Sequence, residues 1–222
     1  MNEQKQIQVS NNQALVSIII CTYNRASYLN TCISSIIDQT NQQWELIIVD
    51  DGSDDNTYDI VNPYLQEYSN IRYVKHKNIK LALSRNVGLL LSTGTYITFL
   101  DSDDTFKENH IQSRLDFMVE NDQVDLIYGG VDLHEDIFVP DFYKPNFLIN
   151  VKECVLGSTF FGKRSVFFEL GGFDNLNYGE DTEFLERASK LFTTQEITHP
   201  ETYVYTRAID SITLKKEFEN NN

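Results

Sequence analysis

Cysteine is scarce: the 222 residues hold three, and Cys21, Cys32 and Cys154 stand far apart with no Cys-x-x-Cys pair. That pattern argues against a disulfide framework or a cysteine zinc site, and reads as small buried hydrophobes in a reduced, intracellular protein. Basic residues are also few. Eighteen Lys and Arg face 33 Asp and Glu, a formal net charge of −15. Such a field repels nucleic-acid backbones and anionic lipid, so no nucleic-acid partner is expected and membrane association is at most peripheral. Long apolar runs are missing as well. Residues 16–21 form one of the longest, which is strand-length and far too short to span a bilayer, and the polar residues 1–13 do not read as a signal peptide. The expected location is the cytoplasm, or the inner face of the membrane as a peripheral protein. No repeat of fixed period occurs.

What is present is a globular composition, 41% hydrophobic and 23% charged. A chain of this length suits one ordinary domain, one that buries roughly 70–75% of its unfolded surface and needs no disulfide or metal staple.

Strands and helices alternate along the chain. Residues 16–21 are apolar and β-branched. Ser27 is suited to cap a following helix whose Leu29, Cys32, Ile33, Ile36 and Ile37 share a face. Residues 44–49 read as a second buried strand, and residues 57–68 as a helix that Pro63 either kinks or starts. Residues 71–75 form a more polar strand, expected near an edge. A helix over 81–92 closed by Gly94, a strand over 96–100, a helix carrying Ile111, Leu115 and Met118, and a strand over 124–128 follow. This order predicts an α/β fold, a Rossmann-like and mainly parallel central sheet flanked by helices. The pattern breaks after Gly130. Residues 134–150 are irregular, with Pro140 and Pro145 among aromatics; a helix runs on through Phe192, and residues 202–206 read as a late strand.

In an open parallel sheet, ligands gather at the carboxyl ends of the strands. Three polar clusters fall there: Thr22-Tyr-Asn-Arg25 after the first strand, Asp50-Asp51-Gly52-Ser53 after the second, and Asp101-Ser-Asp-Asp104 after the fourth. The alternate carboxylates Asp101 and Asp103 point the same way in extended geometry and can share one hard cation, Mg²⁺ or Mn²⁺, which in turn bridges diphosphate oxygens. A carboxylate of Asp50-Asp51 can accept a hydrogen bond from a base N–H, and Gly52-Ser53 permits a tight turn that lets a ligand close in, while Ser53, Asp54 and Asp55 also suit capping of the next helix.

Together these residues resemble an inverting glycosyltransferase of family 2. The likeness runs through Ser17-Ile-Ile-Ile-Cys-Thr-Tyr-Asn-Arg25, Glu45-Leu-Ile-Ile-Val-Asp-Asp-Gly-Ser53, Ser84-Arg-Asn-Val-Gly88, Phe99-Leu-Asp-Ser-Asp-Asp104, Gly171-Gly-Phe-Asp174 and Gly179-Glu-Asp-Thr-Glu183, and covers roughly residues 15–213. The resemblance implies a GT-A-type fold and a nucleotide-diphospho-sugar donor, with uridine as the expected nucleoside. By motif, Thr22, Tyr23, Asp51, Lys80, Arg85 and Asp101 would line the nucleotide, and Asp103 with Asp101 would hold Mn²⁺ or Mg²⁺. Asp181 would be the general base, with Glu180 beside it holding the acceptor or capping a helix from Thr182. The acceptor would be a hydroxyl of a glycan or a lipid-linked sugar, in cell-surface polysaccharide synthesis. A polar tail over 1–13, a glycosyltransferase domain over 14–215 and a tail over 216–222 follow, the domain dividing into a nucleotide-sugar half, 14–130, and an acceptor half, 131–215. No accessory region or membrane anchor is expected.

One departure stands out. Relatives carry an Arg-x-His near the end, and here Ile209 falls where that His would be; His199 and Arg207 are the alternatives. Two other readings stay open: from that departure, a relative that binds a nucleotide sugar or glycan without turnover, and, because an apolar strand ending in Asp-x-Asp also opens such sites, a phosphohydrolase using Asp101 or Asp103 as nucleophile. A nicotinamide dehydrogenase is disfavoured, because no Gly-x-Gly-x-x-Gly follows Cys21. The aromatic stretch 138–147 suits either an acceptor platform or a satellite core under a loop.

Overall fold

The computed structural model describes residues 15–144, 146–206 and 208; Pro145, Arg207, Ile209 and both tails lie outside the described residues. In chain order the elements are β1 (Val16–Thr22), α1 (Ala26–Ile37), β2 (Trp44–Asp50), α2 (Thr57–Glu67), β3 (Ile71–Lys75), α3 (Leu81–Leu91), β4 (Tyr96–Phe99), β5 (Thr105–Phe106), α4 (His110–Glu120), β6 (Leu126–Gly129), β7 (Val131–Asp132), β8 (Phe138–Pro140), β9 (Leu148–Asn150), β10 (Phe161–Lys163), α5 (Arg164–Glu169), α6 (Glu180–Leu191), β11 (Thr194–Ile197) and β12 (Tyr203–Val204). Among these helices none is long and apolar enough to cross a membrane.

Seven strands form one sheet in the order β11-β6-β10-β4-β1-β2-β3. β1 and β2 are interior strands and read as unbroken apolar runs because helices cover both faces. Side chains alternate between those faces. Ile18, Ile20, Leu46 and Ile48 meet α1 and α4 through Leu29, Ile33, Ile36 and Ile111. Ile19, Ile47 and Val49 meet Ala82 and Leu89 of α3, on the face where Phe167 and Phe184 of α5 and α6 also pack. The α/β, mainly parallel fold is as the sequence predicts, and β3 closes one edge as its polar pattern implies.

The structure also corrects local expectations. α1 starts at Ala26 with Arg25 in the cap position, so Ser27 is not the cap; the Asp55 carboxylate accepts from the Ala26 N–H instead, at 3.1 Å. Pro63 neither starts nor ends α2 but sits inside it. α6 begins at Glu180, capped by Gly179 in the left-handed region (φ 76°), rather than at Thr182. The late strand is only Tyr203–Val204 and belongs to a separate three-stranded sheet with β5 and β7.

The largest departure is β10. It runs antiparallel between β4 and β6, pairing Phe161 with Thr98 on one side and with Ile127 on the other. The fourth and fifth strands of the sequence reading are therefore not neighbours. Gly162 permits the insertion, since a Cβ there would lie 2.7 Å from Leu126 and 3.0 Å from the Asp125 carbonyl.

Gly94 plays a comparable part. It follows the end of α3, and a Cβ on it would lie 2.6 Å from the Ser17 backbone nitrogen. Its N–H donates to Ser17 Oγ at 2.8 Å, and Ser17 Oγ–H donates to Glu45 Oε1 at 2.6 Å, tying the α3–β4 turn to the sheet. Gly94→Ala is expected to push this turn off β1 and to destabilise the protein by about 1–3 kcal/mol in urea unfolding, the usual cost of overpacking.

Candidate active site

The carboxyl ends of β1, β2 and β4 open onto one cleft of about 810 Å³. Its walls include Thr22, Tyr23, Asp51, Lys80, Arg85, Asp101, Asp103, Glu180 and Asp181. The ends of the parallel strands and the segments after them supply Thr22, Tyr23, Asp51, Asp101 and Asp103, the start of α3 supplies Lys80 and Arg85, and the first turn of α6 brings the last two from the other half of the chain.

Asp51 is buried directly after β2. Its Oδ1 accepts from the Ile79 N–H at 2.7 Å and its Oδ2 from the Lys80 N–H at 3.0 Å, with His76 Nδ1 3.5 Å away. This carboxylate thus organises the turn that starts α3, where Lys80 is held at φ 77°, a conformation that L side chains rarely adopt. Gly52 beside it has φ 90°, and a Cβ there would press on the backbone of His76 and Asn78. Two buried hydroxyls on the cleft wall, Thr22 Oγ1 and Ser84 Oγ, find no partner among the described residues. Orphaned polar atoms in a concave site ask for a ligand. Ser84 was visible only as part of a motif, one residue ahead of the more conspicuous Arg85.

After β4, three carboxylates follow within four residues. Asp101 Oδ1 pairs with Arg85 Nη2 at 3.3 Å, and Asp103 Oδ2 with Arg25 Nη1 at 2.8 Å. Burial, with the negative charge of Asp101, pushes the Asp103 carboxyl up against the opposing pull of Arg25. Asp104 faces inward. It accepts from the Tyr203 hydroxyl and, at 2.6 Å, from the Thr206 N–H, and burial next to Asp101 and Asp103 raises it well above the ordinary carboxylate range. Asp101 and Asp103 form a pair of hard oxygen donors whose mutual repulsion a divalent cation would relieve, so the donor chemistry fits one. No group of three or more His, Cys, Asp or Glu able to hold a metal occurs among the described residues. A cation here would complete its shell with ligand oxygens and water. His199 is exposed and off the cleft wall, so it does not stand in for the missing histidine; Arg207 and Ile209 lie outside the described residues.

Across the cleft, Asp181 occupies the first turn of α6. Its Oδ2 accepts from the Gly157 N–H at 3.1 Å and its Oδ1 from the Thr182 N–H at 2.8 Å. Burial and the neighbouring Glu180 raise its carboxyl to about 6, with Arg85 pulling the other way. Glu180 is itself paired with Arg85, Oε1 to Nη1, at 2.9 Å. Arg25 and Gly157 went unassigned in the sequence. Arg25 was at least visible in the cluster after β1, whereas nothing local marks a glycine whose N–H meets a side chain 24 residues on.

The aromatic stretch divides between a small core and the cleft wall. Val139 packs with Ile137 and Val151 in a small separate core, while Phe142 and Tyr143 stand on the cleft wall. Phe142 lies against Gly179, where any Cβ would collide with its ring, and the Tyr178 hydroxyl donates to the Pro140 carbonyl at 2.6 Å.

A model of glycosyl transferase family 2 matches residues 17–175. A candidate teichuronic acid biosynthesis glycosyltransferase, TuaG of Bacillus subtilis (strain 168), is 39% identical over 114 residues, 50% of this chain and 45% of that protein. The chain therefore spans less than half the length of this curated relative. Among solved structures, S. aureus TarS 1–349 in complex with UDP-GlcNAc superposes with a TM-score of 0.73 at 19% identity, over 90% of this chain and 60% of that one. The mannosyltransferase PcManGT from Pyrobaculum calidifontis, in complex with GDP-Man and Mn2+, gives 0.70 at 19% identity, over 94% and 64%. These structural likenesses establish the shared GT-A-type fold.

If Asp51 organises the turn before α3, Asp51→Ala leaves two N–H groups without their acceptor. The expected loss is about 1–3 kcal/mol in chemical denaturation, with fold retained by circular dichroism.

Proposed function

The chain belongs to glycosyl transferase family 2, and we propose that it moves a sugar from a uridine-diphospho-sugar to a hydroxyl of a glycan or lipid-linked acceptor, with inversion at the anomeric carbon. The observation that carries this reading is the single cleft that gathers the ends of β1, β2 and β4 with the first turn of α6. The relative from teichuronic acid synthesis supports a role in cell-surface polysaccharide assembly.

In this reading the half over 14–130 binds the donor. Asp51 accepts from the base, the orphaned hydroxyls of Thr22 and Ser84 meet the nucleotide, and Tyr23 and Lys80 flank it on the cleft wall. Asp103 and Asp101 would hold Mn²⁺ or Mg²⁺, which when bound neutralises charge growing on the departing nucleoside diphosphate. The half over 131–215 receives the acceptor, with the rings of Phe142 and Tyr143 as stacking surfaces for a sugar face. Asp181 takes the proton of the acceptor hydroxyl while that oxygen attacks the anomeric carbon from the face opposite the diphosphate. The bond from that carbon to the phosphate oxygen breaks with its electron pair on the leaving group, and the proton stays on Asp181.

A base near 6 is mostly ionised at neutral pH and already able to accept a proton. Protonation removes the base, so kcat/KM is expected to fall about tenfold for each pH unit below about 6. Asp181→Asn should lower kcat by about 10²–10⁴-fold while leaving UDP affinity near wild type. Calorimetric titration with UDP and GDP, with and without Mn²⁺, should show metal-dependent UDP binding that Asp103→Ala abolishes. Absence of nucleotide binding under every metal condition would overturn the donor-site reading, and full turnover by Asp181→Asn would overturn the base.

A further inference from the structure

The sequence predicts a nucleotide contact for Arg85, and its surroundings point to a further task. Its side chain is only 4% exposed, and its guanidinium rests against the rings of Phe99 and Phe173, 5.7 and 5.4 Å from their centroids. Nη1 donates to Glu180 and Nη2 to Asp101, at 2.9 and 3.3 Å. One buried cation therefore joins Asp101, two residues past the end of β4, to the first residue of α6, across 95 positions of sequence on the Glu180 side.

Gly157 completes the arrangement. A Cβ on it would lie 2.8 Å from Arg85 Nη1 and 2.9 Å from Asp181 Cβ, so the turn is wedged between the two side chains, with its N–H on Asp181 Oδ2. Glu180 and Asp181 share the first turn of α6. Whatever fixes the Glu180 carboxylate fixes the rotation of that turn, and with it the direction of Asp181.

We propose that Arg85 is a positioning residue, a strut that locks the start of α6 to Asp101 and so holds Asp181 where the acceptor proton is taken. This rests on the reading of Asp181 as the base. A guanidinium suits the task because its planar fork reaches two carboxylates at once, which a lysine ammonium does with poorer geometry. The groups facing Asp181 are Arg85 from α3, Glu180 on its own helix, Tyr178 ahead of the helix and Cys154 from the turn after β9. Burial pushes Cys154 and Tyr178 each up to about 12, so both stay neutral at the pH of an assay.

The test uses the full chain and its sugar-transfer assay, comparing Arg85→Lys, Arg85→Met, Glu180→Gln and Asp181→Asn, with UDP and Mn²⁺ titration of each. Arg85→Lys and Arg85→Met are expected to lose about 10²-fold in kcat, the scale of a small misplacement of a catalytic group, with donor KM changed by less than about threefold. In Arg85→Met the acid limb of the pH profile should move up by about one unit, because the charge that favours the carboxylate is gone. In Glu180→Gln it should move down, because the like charge is gone. Opposite shifts are not produced by a mere loss of folded protein, and Glu180→Gln keeps the test open if the arginine variants fail to fold. A loss confined to donor KM and UDP affinity, with both pH profiles unmoved, would overturn the strut and make Arg85 a nucleotide contact. Full activity in Asp181→Asn would instead sink the base assignment, a result the other variants do not imitate.

Discussion

Carboxylates crowd one cleft of an already acidic protein, and six of them are held by donors that the fold brings to them. Asp51 takes two backbone N–H groups, Asp103 takes Arg25, and Asp101 and Glu180 share Arg85. Asp104 takes a tyrosine hydroxyl and a backbone N–H, and Asp181 takes the N–H groups of Gly157 and Thr182. Without these partners, like charges this close would drive one another out of ionisation or push the loops apart. The geometry of the cleft is the geometry of that compensation, and the rest of the structure supplies the partners.

The central sheet does so by lining up the ends of its strands. β1 pairs in parallel register with both β2 and β4, so the polar residues that follow each strand arrive at the same level. α3 then returns over β1 and β2 with its first turns toward the cleft, placing Ser84 and Arg85 on its wall. On the same face of the sheet, Phe184 of α6 packs among Phe160, Phe167 and Phe173, at ring-centroid distances of 4.6–5.6 Å. That aromatic packing anchors the helix whose first turn carries Asp181, while Arg85 and Gly157 grip the turn itself. The position of Asp181 is therefore set by apolar burial at one point and by charge at another.

Much of this was open to reading in the chain. The runs at β1 and β2, the helix faces of α1 and α4, the edge place of β3 and the acidic clusters after β2 and β4 all follow from local periodicity and from where polar residues interrupt it. Local features misled where a distant group displaced the local one. Ser27 looked like a cap, yet Asp55 reached over from the β2–α2 loop to serve Ala26. β10 escaped notice because three residues around a glycine carry no period, and it became a strand only by fitting between β4 and β6.

By itself, then, the sequence determined the α/β class, the order of strands and helices in the first half, and the family-like clusters at strand ends. These depend on side-chain period and on residues adjacent in the chain. Tertiary structure alone decided that β10 splits β4 from β6, that Arg25 faces Asp103, that Arg85 joins Asp101 to Glu180, and that a glycine N–H meets Asp181. Pairs separated by tens of residues meet only through the packing of the whole sheet and its helices, so no local pattern encodes which cation answers which carboxylate.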